Sequence, residues 1–225
     1  IGKGVAIKLS ECGAKVIAFD KDKESLEQLK NENPNIEIHL IDISHWENTK
    51  KLISQIGPVD LLVNNAGIGN TNEIGNISEE EVDSVFEVNV KAIINITQEV
   101  AKLMIDKKRS GCAIVNVSSM GSIVALKGCC VYGAAKAAID QVTRIAALEL
   151  GKYQIRVNAV NPGPVMTQHL QNAPQDLVHE IIGRMPLQRV AQVNDVANLI
   201  AYLLSDKADM ITGACIPIDG GYTSC

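Results

Sequence analysis

Cys112-Ala113-Ile114-Val115-Asn116-Val117-Ser118-Ser119, followed after a short loop by Val131-Tyr132-Gly133-Ala134-Ala135-Lys136, is the stretch that decides the fold. Residues 112–117 are an apolar run of strand length, and a helical pattern of Ala137, Ala138, Val142, Ile145 and Ala146 follows Lys136. Tyr132 and Lys136 are four apart and share one face of one helix turn. A phenol titrates near ~10 and is a weak acid catalyst at neutral pH. An ammonium beside it favours the phenolate and brings that value towards the working pH. The pair alone carries little, because 4 Tyr and 16 Lys in 225 residues give about 0.3 such spacings by chance. Ser119 changes the weight. It stands thirteen residues before Tyr132, directly after the apolar run. A hydroxyl at a strand's carboxyl end, facing a helix with Tyr and Lys, makes a carbonyl-polarising site.

On either side the same alternation repeats. An opening helix pattern leads to a strand at 15–19, a polar helix at 23–31 and a strand at 36–41 that Asp42 ends. A helix near 45–55 and a strand at 59–63 follow, the latter ended by Asn64-Asn65-Ala66-Gly67. After a Gly/Asn-rich loop, Ser78-Glu79-Glu80-Glu81 is a capping-box signature opening a helix to about 105. Downstream of the Tyr/Lys helix, which runs to about 150, come a strand at 155–160, a helix at 194–204 and a last strand at 215–218. The only long irregular stretch is 161–176, part of a connection carrying Pro162, Gly163, Pro164, Pro174 and Pro186. Loops that long in a compact domain are usually binding loops or lids. Continuous apolar strands alternating with helices predict an α/β fold, a three-layer doubly wound parallel sheet, in one domain spanning 1–225.

Composition narrows the function. At 46% hydrophobic the chain can bury a sizeable core. The net charge of −5 is dispersed and only 3% of residues are aromatic, so no basic stripe suits nucleic acid. No apolar run reaches the ~18–20 residues that span a membrane. The six cysteines are scattered, as reduced thiols are, which predicts a cytoplasmic protein. Neither HExxH nor CxxC occurs, so no metal is expected. The chain opens at Ile1 inside a helix pattern, with no preceding strand, and is read as N-terminally truncated.

In a doubly wound sheet, ligands bind outside the carboxyl ends of the strands. Asp20, Asp42, Asn64, Asn65, Ser119 and Asn161-Pro162-Gly163 all fall there. Asp20 suits a carboxylate on an adenosine ribose, or an N-cap for the next helix; Asp42 and Asn64 have the same capping alternative. Asn89 sits mid-helix, where a buried amide needs a structural partner or a catalytic water.

These residues resemble the short-chain dehydrogenase/reductase family along the whole chain. The resemblance rests on Asn64-Asn65-Ala66-Gly67, Asn89, Ser119, Tyr132 with Lys136, Ile155 to Gly163, Thr212-Gly213 and Asp219-Gly220-Gly221. Residues 57–65, 84–89, 147–151 and 158–167, and the final Cys225, are most similar to the branch of L-xylulose (dicarbonyl) reductases and tetrameric carbonyl reductases. The resemblance implies a Rossmann-like fold lacking its first strand, so that 15–19 and 59–63 flank a missing central strand. It implies NAD(P)-dependent interconversion of a ketone or dicarbonyl and a secondary alcohol, of the L-xylulose/xylitol type among others. Tyr132 would exchange the proton, Lys136 would lower its pKa and hold the ribose, Ser119 would bind the carbonyl, and Asn89 would fix a relaying water. Dinucleotide contacts would come from Ile1, Gly2, Asp20, Asp42, Ile43, Asn64, Asn65, Ala66, Gly67, Tyr132, Lys136, Pro162, Gly163, Val165 and Thr167.

Two departures from that branch refine the expectation. Asp20-Lys21 stands where the branch has a small residue and Arg; a carboxylate repels a 2′-phosphate, so NAD(H) is preferred, with NADP(H) as the alternative. Leu126-Lys127-Gly128-Cys129-Cys130, before Tyr132, is more apolar than a polyol site would be. A homotetramer is expected, because the helices at 79–105 and 132–150 carry apolar positions beyond one stripe (Ile93, Ile94, Ile96; Ile139, Val142, Ile145). The competing reading is a catalytically silent dinucleotide-fold subunit or binding module.

Overall fold

Alternate residues of β4 (Ala113–Val117) point to opposite sides, and both sides are sealed. Ala113, Val115 and Val117 face one apolar core and Ile114 another. A strand apolar on both faces needs helices on both, and a computed structural model, which describes residues 1–108, 110–171 and 175–224, shows them. On one face lie α1 (Gly2–Glu11) and α9 (Val193–Leu204), with Val196, Ile200 and Leu203 fully buried against the sheet. On the other lie α3 (Trp46–Ile56), α5 (Ala92–Asp106) and α6 (Cys130–Leu150), contributing Ile53, Ile96, Val100, Met104 and Ala147. Each such aliphatic side chain contributes about 1.5–3 kcal/mol on burial.

All strand pairs are parallel. One sheet has the order β3 (Leu61–Asn64), β4, β5 (Arg156–Pro162), β6 (Cys215–Ile218). A second pairs β1 (Ile17–Asp20) with β2 (Glu37–Leu40), beneath α2 (Lys23–Glu32). Among the described residues no ladder joins β1 to β3. Helix α1 bridges the two sheets, with Ile1, Val5 and Leu9 in the core of the larger and Ala6 and Ile7 in that of the smaller. Phe19 of β1 makes the matching bridge on the opposite face, packing on the same core as Leu62 of β3.

The expected helix 79–105 is present but not uniform. It comprises α4 (Glu79–Phe86), a π-helical turn at Glu87–Lys91, and α5. Ser78 caps it by accepting from Glu81 N at 3.2 Å. The stretch 161–176 is less irregular than its prolines imply. β5 runs on to Pro162, and α7 (Gln168–Gln171) and the start of α8 (Gln175–Gly183) occupy its second half. Pro174 and Cys225 lie outside the described residues. No described helix is long and apolar enough to cross a membrane.

Candidate active site

Because the strands are parallel, their carboxyl ends share one edge, and a cleft of about 710 Å³ runs along it. Ile1, Asp20, Asp42, Ile43, Asn65, Ala66, Gly67, Ser119, Tyr132, Lys136, Pro162, Gly163, Val165 and Thr167 all line this cleft. Its ends differ in chemistry: carboxylates from β1 and β2 at one, and hydroxyls and an amine from β4 and α6 at the other.

At the second end, two hydrogen bonds lock α6 onto β4. Ser118 Oγ donates to Lys136 O at 3.1 Å, and Lys136 Nζ donates to Val117 O at 2.8 Å. Ser119 turns the chain by accepting from Gly121 N at 3.1 Å, and its side chain lies close enough to the Tyr132 phenol to lower its pKa in part. Lys136 is almost wholly buried, its Nζ 5.6 Å from the centre of the Tyr132 ring. Burial lowers its pKa to about 8, against a partial opposing pull from Asp140.

Tyr132 corrects the sequence expectation. Its phenol stands above the ordinary value, pushed up by burial, pulled part of the way back by the Ser119 hydrogen bond and raised again by Cys129. The lysine that should lower it is desolvated by the same packing and engaged with Val117 O. In the free protein, burial is the largest influence on the phenol.

Asn89 lies behind the cleft wall, in the π turn, fully buried. Its Oδ1 accepts from Ile68 N at 2.8 Å and its Nδ2 donates to Ile68 O at 2.7 Å, so its amide holds loop 67–69 in place. π turns recur at functional sites because the extra residue aims a side chain that a regular helix would not. Glycines let this loop come close. A Cβ on Gly67 would lie 3.3 Å from Asn89 Oδ1 and 3.4 Å from Lys136 Nζ, and one on Gly69 would lie 2.7 Å from Tyr132 Cδ2.

At the carboxylate end, Asp20 Oδ1 accepts from Asp22 N at 3.0 Å, but the N-cap of α2 is Asp22, which accepts from Glu24 and Ser25. Asp20 is therefore not spent as the cap. Asp42 accepts from Ser44 N and Oγ, bonds that hold its carboxyl below the usual range, with Lys21 and His45 adding to the effect. Two further expected contacts are corrected. The Asn64 side chain points into the core, donating to Thr97 Oγ1 at 3.1 Å and Asn116 Oδ1 at 2.8 Å, and Gly2 packs under the Asn65 amide rather than on the cleft. Cys129, in the loop before Tyr132, lines the cleft as expected; sequence reasoning missed Ile68, Thr71 and Leu170, for which the loop glycines were the available signal.

The residues fit a dinucleotide. The N-terminal turn of α1 opens on the cleft at Ile1, where backbone N–H groups suit a pyrophosphate. Asp20 and Asp42 offer acceptors of the kind ribose hydroxyls would need, and Tyr132 and Lys136 line the cleft beyond them.

Comparison with known proteins agrees. A family profile described as Enoyl-(Acyl carrier protein) reductase, of the short-chain alcohol dehydrogenase type, matches residues 1–223. Human L-xylulose reductase is 41% identical over 227 residues, covering 100% of this chain and 93% of the relative. D-erythrulose reductase of Gallus gallus is 40% identical over 224 residues, covering 99% and 91%. Carbonyl reductase [NADPH] 2 of Sus scrofa is 38% identical over 224 residues, covering 99% and 91%. With the Ser119, Tyr132 and Lys136 constellation at the carboxyl edge of a parallel sheet, the chain belongs to the short-chain dehydrogenase/reductase family.

Proposed function

We propose that this oxidoreductase reduces ketones or dicarbonyls, small ketoses of the L-xylulose kind among them, with NAD(H) as the preferred dinucleotide. The observation that carries the reading is that Ser119, Tyr132 and Lys136 line one end of the cleft together, with the buried Lys136 Nζ 5.6 Å from the centre of the Tyr132 ring. When bound, the nicotinamide supplies the hydride. The protein supplies the rest. Ser119 orients the carbonyl oxygen, Tyr132 gives it a proton, and Lys136 in its charged form stabilises the phenolate left behind. Burial raises the Tyr132 phenol, which therefore carries its proton at neutral pH in the free protein. Asn89 positions loop 67–69 and, through it, the wall beside Lys136.

The NAD(H) preference is supported by Asp20, whose carboxylate would accept from ribose hydroxyls and repel a 2′-phosphate. The porcine relative carries NADPH in its name, so Asp20 marks the expected divergence. A homotetramer is supported by Ile94 and Ile145, 38% and 46% exposed, with Phe86 and Leu148 also outward. Ile93, Ile96 and Ile139 are instead consumed by the chain's own core. Cys12, Cys129, Cys130 and Cys215 are thiols, as suits the cytoplasm.

The test is a spectrophotometric panel of ketones, dicarbonyls and polyols with NADH and NADPH. Turnover of no carbonyl with either cofactor would overturn the reading. Higher kcat/KM with NADPH than NADH would overturn the preference, and Asp20→Ser should move selectivity towards NADPH.

A further inference from the structure

One turn beyond Lys136 on α6, Asp140 is buried, and among the described residues no Lys or Arg forms an ion pair with it. A buried carboxylate without a cation is unfavourable unless hydrogen bonds compensate. They come from Asn161 of β5, itself fully buried, whose Nδ2 lies 3.1 and 2.9 Å from the two carboxylate oxygens. The same nitrogen lies 2.8 Å from Ser122 Oγ and 3.2 Å from Ser119 O, and Ser122 Oγ donates to Ser119 O at 2.7 Å. Asn161 Oδ1 has no partner. Turning the amide over would set that oxygen against the carboxylate, so Asp140 decides which way Asn161 faces. Neither residue lines the cleft, yet the two bind together α6, the Ser119 turn and the end of β5, and these three carry Tyr132, Ser119 and Pro162 into it.

We propose that Asp140 and Asn161 form the positioning unit of this active site, fixing Ser119 relative to Tyr132 and keeping a carboxylate one helical turn behind Lys136. The proposal rests on the reading of these residues as a carbonyl-reducing site. Without the Asp140–Asn161 contact, the amide nitrogen that holds Ser119 O loses its orientation, and the hydroxyl that would bind the carbonyl shifts against its proton donor. The carboxylate also favours the charged form of Lys136, which burial disfavours. Around Asp140, α6 brings Lys136 and Arg144, and β6 brings Cys215, whose thiol donates to Asp140 O at 3.8 Å. Just beyond β6, Asp219 is engaged with Gly221 and Thr223. β5 and the Met120–Ser122 turn bring amide and hydroxyl groups.

Three proteins test this: wild type, Asp140→Asn, and the exchange Asp140→Asn/Asn161→Asp, which returns one carboxylate and one amide to the same contact. In Asp140→Asn, kcat for ketone reduction should fall about tenfold or more while the dissociation constant for the dinucleotide stays within about twofold. The exchange should recover most of kcat. Independently of turnover, NMR of lysine labelled at Cε should show Lys136 losing its proton at lower pH in Asp140→Asn than in wild type. An unchanged kcat with an unchanged Lys136 titration overturns the proposal. So does a loss of kcat, dinucleotide affinity and melting temperature together that the exchange does not restore, since that describes packing alone. A wild-type enzyme that reduces no carbonyl overturns the functional reading instead, and the titration then decides whether Asp140 acts on Lys136.

Discussion

Replacing Lys136 with Met should make the protein more stable and inactive at once. Lys136 is 3% exposed and titrates at about 8 instead of 10.5, with burial the dominant cause. At about 1.36 kcal/mol per pKa unit, holding the charged form in the fold costs about 3 kcal/mol at pH 7. Met keeps the stem and removes the charge, while Val117 O loses its donor, which takes back about 1 kcal/mol. The net gain is about 2 kcal/mol, or about 4–8 °C in Tm for a chain of this size. The gain depends on pH in a defined direction. The unfolded chain keeps its proton up to ~10.5 and the folded chain releases it near 8, so between those values the unfolded state binds more protons and wild-type stability rises with pH. The penalty is complete below pH 8 and gone above 10.5, so the advantage of Lys136→Met should shrink between pH 7 and pH 10. Cys215, raised to about 11 by burial, acts in the opposite sense between 9 and 11, but it is common to both proteins and cancels in the comparison. Thermal melts of both proteins at the two pH values, with turnover measured alongside, decide the matter. A Tm at pH 7 equal to or below that of wild type would refute the reasoning, as would a gain undiminished at pH 10.

Tyr132→Phe removes the proton donor and leaves the ring packing, so kcat should fall about 10²–10⁴-fold with dinucleotide affinity unchanged by fluorescence titration; a variant keeping a tenth of wild-type activity rejects the role. Gly69→Ala would set a methyl 2.7 Å from Tyr132 Cδ2, and the displaced ring should lower kcat about tenfold or more with little change in Tm. Wild-type kinetics in Gly69→Ala would show that the loop yields instead. Light scattering at micromolar concentration should give four times the 24.2 kDa chain mass, and a monomeric mass refutes the tetramer.

Much of this molecule is legible in its sequence because buried parallel strands read as unbroken apolar runs and the polar residue that ends each one falls on a common edge. The limits are equally physical. Asn64 and Asn65 look equivalent in the sequence, but strand residues alternate sides, so one amide enters the core and only its neighbour meets the cleft. The prolines of 161–176 hide two helical segments, since Pro marks where a helix cannot continue and says little about the residues between. The direction of the Tyr132 shift is not legible in the sequence, because an i, i+4 spacing reports the neighbouring charge and is silent about desolvation. Asp140 and Asn161 meet only across the fold, twenty-one residues apart, where no local pattern points from one to the other.

The π turn has a consequence for helix phase. Successive residues of an α-helix advance by about 100°, so one inserted residue rotates everything beyond it by that angle. An unbroken helix would carry the line of Val85 through Glu99 and Leu103; the inserted residue moves it to Val100 and Met104, both nearly fully buried. Deleting one residue between 87 and 91 would yield a more regular helix. It would also swing one half about its axis, turning either Val85 or Met104 out of its core and carrying the Asn89 amide away from Ile68. This stretch therefore tolerates substitution more readily than a change in length.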